Sequence, residues 1–100
     1  MIEQAKNAED VTQFGEANAY FSLYNDSYGA VFYIVNEEKM KMDTTFELEM
    51  ENMRIKGEPE GATEFTIQLG PGESTAKIIK TIDTNLGNQL AMSYSFQFKE

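Results

Sequence analysis

The chain has 100 residues, neither cysteine nor histidine, and 17 acidic against eight basic side chains, a net charge of −9. One domain of this length buries about two-thirds of its unfolded surface and needs no staple, and the two missing residue types remove disulfides, thiol and imidazole catalysis and the usual zinc ligands. Nucleic acid and anionic membrane surfaces are excluded as direct ligands, because both are gripped by clustered lysine and arginine that this chain lacks.

Hydrophobic residues make up 41% and aromatics 12%, the composition of a globular chain with a packed core. The charge is uneven: residues 1–50 hold ten acids against three lysines, and residues 51–100 hold seven acids against five bases. A protein partner with a neutral or basic surface is the expectation. No segment approaches the ~20 apolar residues of a membrane span, and no signal-peptide pattern opens the chain. With no cysteine framework, an intracellular, cytoplasmic or cytoskeleton-associated protein is expected.

In chain order, residues 1–10 are polar, with Ile2, Ala5 and Ala8 the only apolar points after Met1, and are expected to form a flexible arm ahead of a domain over residues 11–100. A short strand is possible over residues 11–14. Tyr20 to Tyr24 reads as a strand that ends in Asn25-Asp26-Ser27-Tyr28-Gly29, a run suited to a turn through Asx hydrogen bonding and a permissive glycine. Asn25-Asp26-Ser27 is also a glycosylation sequon, read here as turn chemistry. The hairpin partner, Ala30 to Val35, is apolar at every position, which predicts a central strand buried on both faces.

Thr44 to Asn52 alternates, with Phe46, Leu48 and Met50 on one side and Thr45, Glu47, Glu49 and Glu51 on the other, as a half-buried strand does. Phe46, Met50 and Met53 also fit a helix at i, i+4 and i+7, but the strand is the reading adopted, with a bulge near Glu51 or Asn52 to account for the shift of register to Met53 and Ile55. Residues 56–62, with Gly57, Pro59 and Gly61, predict a loop. Phe65, Ile67 and Leu69 mark the next strand, Gly70-Pro71-Gly72-Glu73 a sharp turn, and Ser74 to Ile82 the strand beyond it. After a loop over residues 83–88, Leu90, Met92, Tyr94, Phe96 and Phe98 alternate with Ala91, Ser93, Ser95 and Gln97. Seven or eight strands without a helix predict an all-β fold, a single antiparallel β-sandwich.

Three stretches carry a family resemblance. Phe21-Ser22-Leu23-Tyr24-Asn25-Asp26-Ser27 is similar to an aromatic strand running into an Asn-Asp-Ser/Thr turn, Thr45 to Met53 is similar to an F-x-L-x-N-L/M strand, and Leu69-Gly70-Pro71-Gly72-Glu73 with Ser74-Thr75-Ala76-Lys77 resembles a proline-turn hairpin. Together they resemble the β-sandwich modules of calpain-like proteins, including the small calpain-related domain of protist proteins. The resemblance implies a non-catalytic regulatory or scaffold domain associated with membrane-cytoskeletal or ciliary structures. Calpain proteolysis needs a cysteine and a histidine, which this chain lacks, and Ile2 stands where acylated members carry glycine.

Three sets of residues are candidates for chemistry. Glu47, Glu49 and Glu51 are ~7 Å apart along one strand face, a spacing compatible with paired-carboxylate hydrolysis; a solvated outer face explains them better, and no catalytic residue is assigned. Calcium is the possible cofactor, through Asp26, Asp43 and Asp83, if the topology gathers their loops as a C2-like membrane-binding domain would. Tyr28 in the hairpin turn, with Met40 and Met42 at the rim beyond Asn36-Glu37-Glu38-Lys39, are candidate partner-binding anchors. The leading expectation is a non-enzymatic protein-interaction or scaffold module, and the alternative is the calcium-dependent C2-like domain.

Overall fold

The computed structural model describes residues 11–99, so the expected arm over residues 1–10 lies outside the described residues. Eight strands run in the order β1 (Val11–Gln13), β2 (Ala19–Asp26), β3 (Gly29–Asn36), β4 (Lys41–Glu51), β5 (Met53–Ile55), β6 (Glu64–Leu69), β7 (Ser74–Thr81) and β8 (Gln89–Lys99). Every pairing is antiparallel. One sheet, here A, has the order β1-β2-β3-β7-β5, and the other, B, has the order β6-β4-β8. The expected β-sandwich is therefore observed, and from β3 onward each successive strand belongs to the opposite sheet.

Period-two alternation places the core between the sheets. Phe21, Phe32, Ile34, Ile55 and Ile79 project from sheet A, and Met42, Phe46, Leu48, Phe65 and Leu69 from sheet B. Phe46 is the hub, with ring centroids 5.1 Å from Phe21, 5.1 Å from Phe32 and 5.2 Å from Phe65. The Phe21 contact is edge-to-face, the Phe32 contact tilted and the Phe65 contact stacked, and rings at such separations add to the stabilisation from burial alone. Phe14 enters this cluster from a turn: Phe14 N donates to Ala19 O, Ala17 N donates to Phe14 O, and Gly15 takes a φ of 58°. At the β6–β7 side, Lys77 pairs with Glu58 (3.1 Å) and lies 5.8 Å from the centre of the Phe65 ring, closing the gap between the sheets with an aliphatic stem and a satisfied charge.

Asparagines hold both ends of the sandwich. Asn36 is fully buried; its Nδ2 donates to Met40 O (2.8 Å), Leu69 O (3.1 Å) and Gly70 O (3.1 Å), and its Oδ1 accepts from Glu38 N (3.0 Å). It thus ties the β3–β4 connection to the β6–β7 turn. At the other end Asn52 adopts φ 62°, and its side chain bonds the 83–87 loop, donating to Asp83 O (2.7 Å) and accepting from Asp83 N (3.0 Å).

Asn52 corrects the expected bulge. Its left-handed backbone, which asparagine tolerates better than most residues, does not insert an extra residue into one strand. It passes the chain from β4 in sheet B to β5 in sheet A. Ala30 to Val35 is central as expected, in the middle strand of sheet A. Burial on both faces holds at its Val35 end, where Val35 and the adjacent Ser22 are fully buried, but fails at the hairpin end.

Candidate functional site: an aromatic patch on sheet A

The outer side of sheet A is open around the β2–β3 hairpin. Tyr24, Val31 and Ile78 stand side by side in register across β2, β3 and β7. All three are on the side away from the core by strand parity, so their apolar surface meets solvent. Tyr24 is 48% exposed, Ile78 38% and Tyr28 76%, a set of large apolar side chains that solvent would not by itself favour at one place. They border a shallow depression of about 400 Å³ floored by Gly29 and Ala30 and bounded by Asp26 and Lys80. Tyr24 is steadied by an edge-to-face contact with Tyr33, 5.9 Å between centroids.

Local chemistry fixes the hairpin beneath Tyr28. Asp26 Oδ1 accepts from Tyr28 N (2.8 Å) and Gly29 N (3.2 Å), the Asx turn expected from Asn25-Asp26-Ser27. Gly29 adopts φ 147°, and a Cβ there would stand 2.2 Å from Ile79 O, so only glycine lets β3 approach β7 this closely. Thr81 N then donates to Tyr28 O (3.1 Å), and Asn88 Nδ2 donates to Asp26 O (2.7 Å). The turn is held from three directions, which leaves Tyr28 presented on a rigid support. The register row Asp26, Gly29, Lys80 and Arg54 lies at one margin and places two cations beside the patch in a chain that is otherwise acidic.

The other residues singled out from the sequence are placed differently. Met42 is fully buried in the core beside Phe46, which removes it as a partner contact: two residues before Thr44 and four before Phe46, it shares their inward parity. Met40 is half-buried in the β3–β4 connection, where its carbonyl serves Asn36, and it lies far from Tyr28 along the strands. Tyr28 alone of the three belongs to the exposed patch.

The three aspartates are not gathered. Asp26 and Asp83 lie towards the same end, but Asp26 Oδ1 is engaged in its own turn and Asp83 Oδ1 accepts from Asn85 N (2.9 Å). Asp43 lies eight residues from the Glu51 end of β4, roughly 26 Å away along the strand. There it pairs with Lys99 (3.0 Å). The hydrogen bond from Lys99 holds the Asp43 carboxyl below its ordinary range, helped by the charge of Lys99 and by Gln97 and Lys41, while burial opposes the shift. Among the described residues no three metal-ligating side chains come together. Glu47, Glu49 and Glu51 are exposed on the outer face of sheet B, and Glu47 stands directly opposite Glu64 in register.

Comparison of the chain with protein-family models, with curated proteins and with solved structures gave no match. Among the described residues no helix is long and apolar enough to cross a membrane.

Proposed function

We propose that this chain is a non-catalytic interaction module that holds a protein partner on the Tyr24–Tyr28–Val31–Ile78 patch. The observation that carries this reading is a cluster of exposed aromatic and aliphatic side chains on a hairpin fixed by Asp26 and Gly29. A pre-organised aromatic anchor loses little conformational freedom on binding, and such anchors dominate interface energetics. The partner offers an apolar segment to the patch, and a neutral or basic surface to the acidic remainder of the chain. A scaffold role inside the cell, of the kind the calpain-like resemblance implies, is consistent with this mode of action and forms part of the proposal.

The test is selection of peptides from a display library on the immobilised chain, followed by titration against Tyr28→Ala and Ile78→Thr. Tyr28 is exposed enough that its removal leaves the melting temperature within about 2 °C. Loss of an aromatic anchor weakens binding by about 30-fold or more. Selected peptides that bind wild type and both variants equally would sink the assignment of this patch.

A further inference from the structure

One of the two longest strands among the described residues, β8, is also an edge. Among the described residues β8 pairs on one side only, with β4, over all eleven residues from Gln89 to Lys99. The remaining edges follow the usual protections against strand addition: β1 and β5 have three residues each, β5 carries Arg54, and β6 is a six-residue strand with Glu64 exposed. β8 has none of these. It contains no proline, glycine or charge before Lys99, although the chain around it has a net charge of −9.

The free backbone groups of β8 can be assigned. Leu48 N donates to Thr63 O (2.7 Å), so the inward-facing residues of β4 direct their peptide groups towards β6. By alternation the outward-facing residues of β4 direct theirs towards β8, where they meet Ala91, Ser93, Ser95 and Gln97. The peptide groups of Leu90, Met92, Tyr94, Phe96 and Phe98 therefore point off the open edge. These same residues carry the apolar row of β8, which is half-buried at most positions and 39% exposed at Phe96.

We propose that β8 pairs antiparallel with β8 of a second copy of this chain about a two-fold axis at Tyr94, joining two B sheets into one of six strands. This register is self-complementary. It sets Tyr94 opposite Tyr94, Met92 opposite Phe96 and Leu90 opposite Phe98, so every unpaired peptide group meets another, making about ten backbone hydrogen bonds. The two apolar rows become continuous on the core side. On the outer side Ser93 faces Ser95 and Ala91 faces Gln97, and no acid opposes an acid along the seam. A second copy fits for this reason: two surfaces of an acidic protein meet with least repulsion along its uncharged strand. The contact is separate from the sheet A patch, so either proposal can fail alone.

The experiment is sedimentation equilibrium of the full chain over a wide concentration range, for wild type and for Ser93→Lys/Ser95→Lys. The expected result is a wild-type species that grows towards twice the 11.3 kDa monomer mass with concentration, and a variant that stays monomeric. In the dimer the new lysines would oppose each other, whereas within one chain Ser93 neighbours Glu47, so at concentrations where both chains are monomeric the variant melts no lower than wild type. Register is read separately in this cysteine-free chain. Ser93→Cys mixed with Ser95→Cys should form a disulfide dimer on mild oxidation more readily than either variant alone, because the two positions form a close, non-hydrogen-bonded pair. A wild-type chain that stays monomeric throughout, a dimer indifferent to the lysines, or cross-linking of each single variant as efficient as that of the mixture would overturn the proposal. Protection of β8 amides only on addition of a different protein would overturn it too.

Discussion

Replacing Asn36 with alanine is expected to be the most damaging single polar substitution in the described fold. Its side chain serves four backbone groups, three of them carbonyls reached by Nδ2. The Leu69 carbonyl is buried and has no route to water once the amide is removed, while the Met40, Gly70 and Glu38 groups are only part-buried and recover some hydration. Taking about 2 kcal/mol for the buried orphan and about 0.5 kcal/mol for each of the others gives a loss of about 3–4 kcal/mol. For a domain of this size that lowers the melting temperature by roughly 15–25 °C. Asn36→Asp separates donor chemistry from shape, since it keeps the volume and the acceptor for Glu38 but turns an oxygen towards three carbonyl oxygens. It should cost at least as much as alanine at neutral pH. Thermal and urea unfolding followed by circular dichroism provide the assay. If both variants melt within about 3 °C of wild type, the amide is not what holds the two connections together, and the reasoning fails.

Three further outcomes follow from the geometry. Gly29→Ala should destabilise the fold by several kcal/mol, because its Cβ would press on a backbone oxygen rather than a movable side chain; an unchanged urea midpoint would contradict that close approach. The Asp43 carboxyl is depressed in the folded state, so its pairing with Lys99 stabilises the fold above the unfolded value of about 3.9 and ceases to do so as pH falls through the folded value. The difference in stability between wild type and Lys99→Met should therefore be present at pH 6, shrink below about pH 4, and weaken with added salt; a difference that persists at pH 2 would remove the ion pair as its cause. The separation of Asp26, Asp43 and Asp83 predicts coincident melting curves in millimolar calcium and in chelator, and a calcium-dependent rise of several degrees would revive a metal-bridged reading.

Strand existence was legible wherever a sheet has one wet face. Phe46, Leu48 and Met50 against Glu47, Glu49 and Glu51 state their faces by alternation, and β6 and β8 do the same. Asn52 was harder to read: Met53 and Ile55 resume a period of two after a one-residue shift from Met50, and a bulge and a sheet crossing leave nearly the same pattern of apolar residues. A residue tolerant of positive φ at the break was the available clue. Met42 was misplaced although parity with Phe46 settles its face, because the turn formers before it suggested a longer connection. The patch was concealed by the uniformly apolar Ala30 to Val35, which a third layer would have buried. In a two-layer fold, alternate residues of such a strand must face outward, and at the hairpin end they meet solvent. The role of Asn36 was not legible, because it joins loops that lie 33 residues apart in sequence and only the finished topology brings them together.

The alternation of sheets from β3 onward governs how this chain reaches its native state. Only β1, β2 and β3 form a meander of neighbouring segments; β4 must wait for β6 and then for β8, whose far end closes a pairing between Lys41 and Lys99. Each such closure spends chain entropy before its contacts repay it, which places the molecule among slow-folding, non-local topologies. Neither sheet can persist without the other, since every connection after β3 is shared between them. Amide exchange at the centres of β3 and β4 should consequently report one common opening, in which the two layers come apart as a single cooperative event.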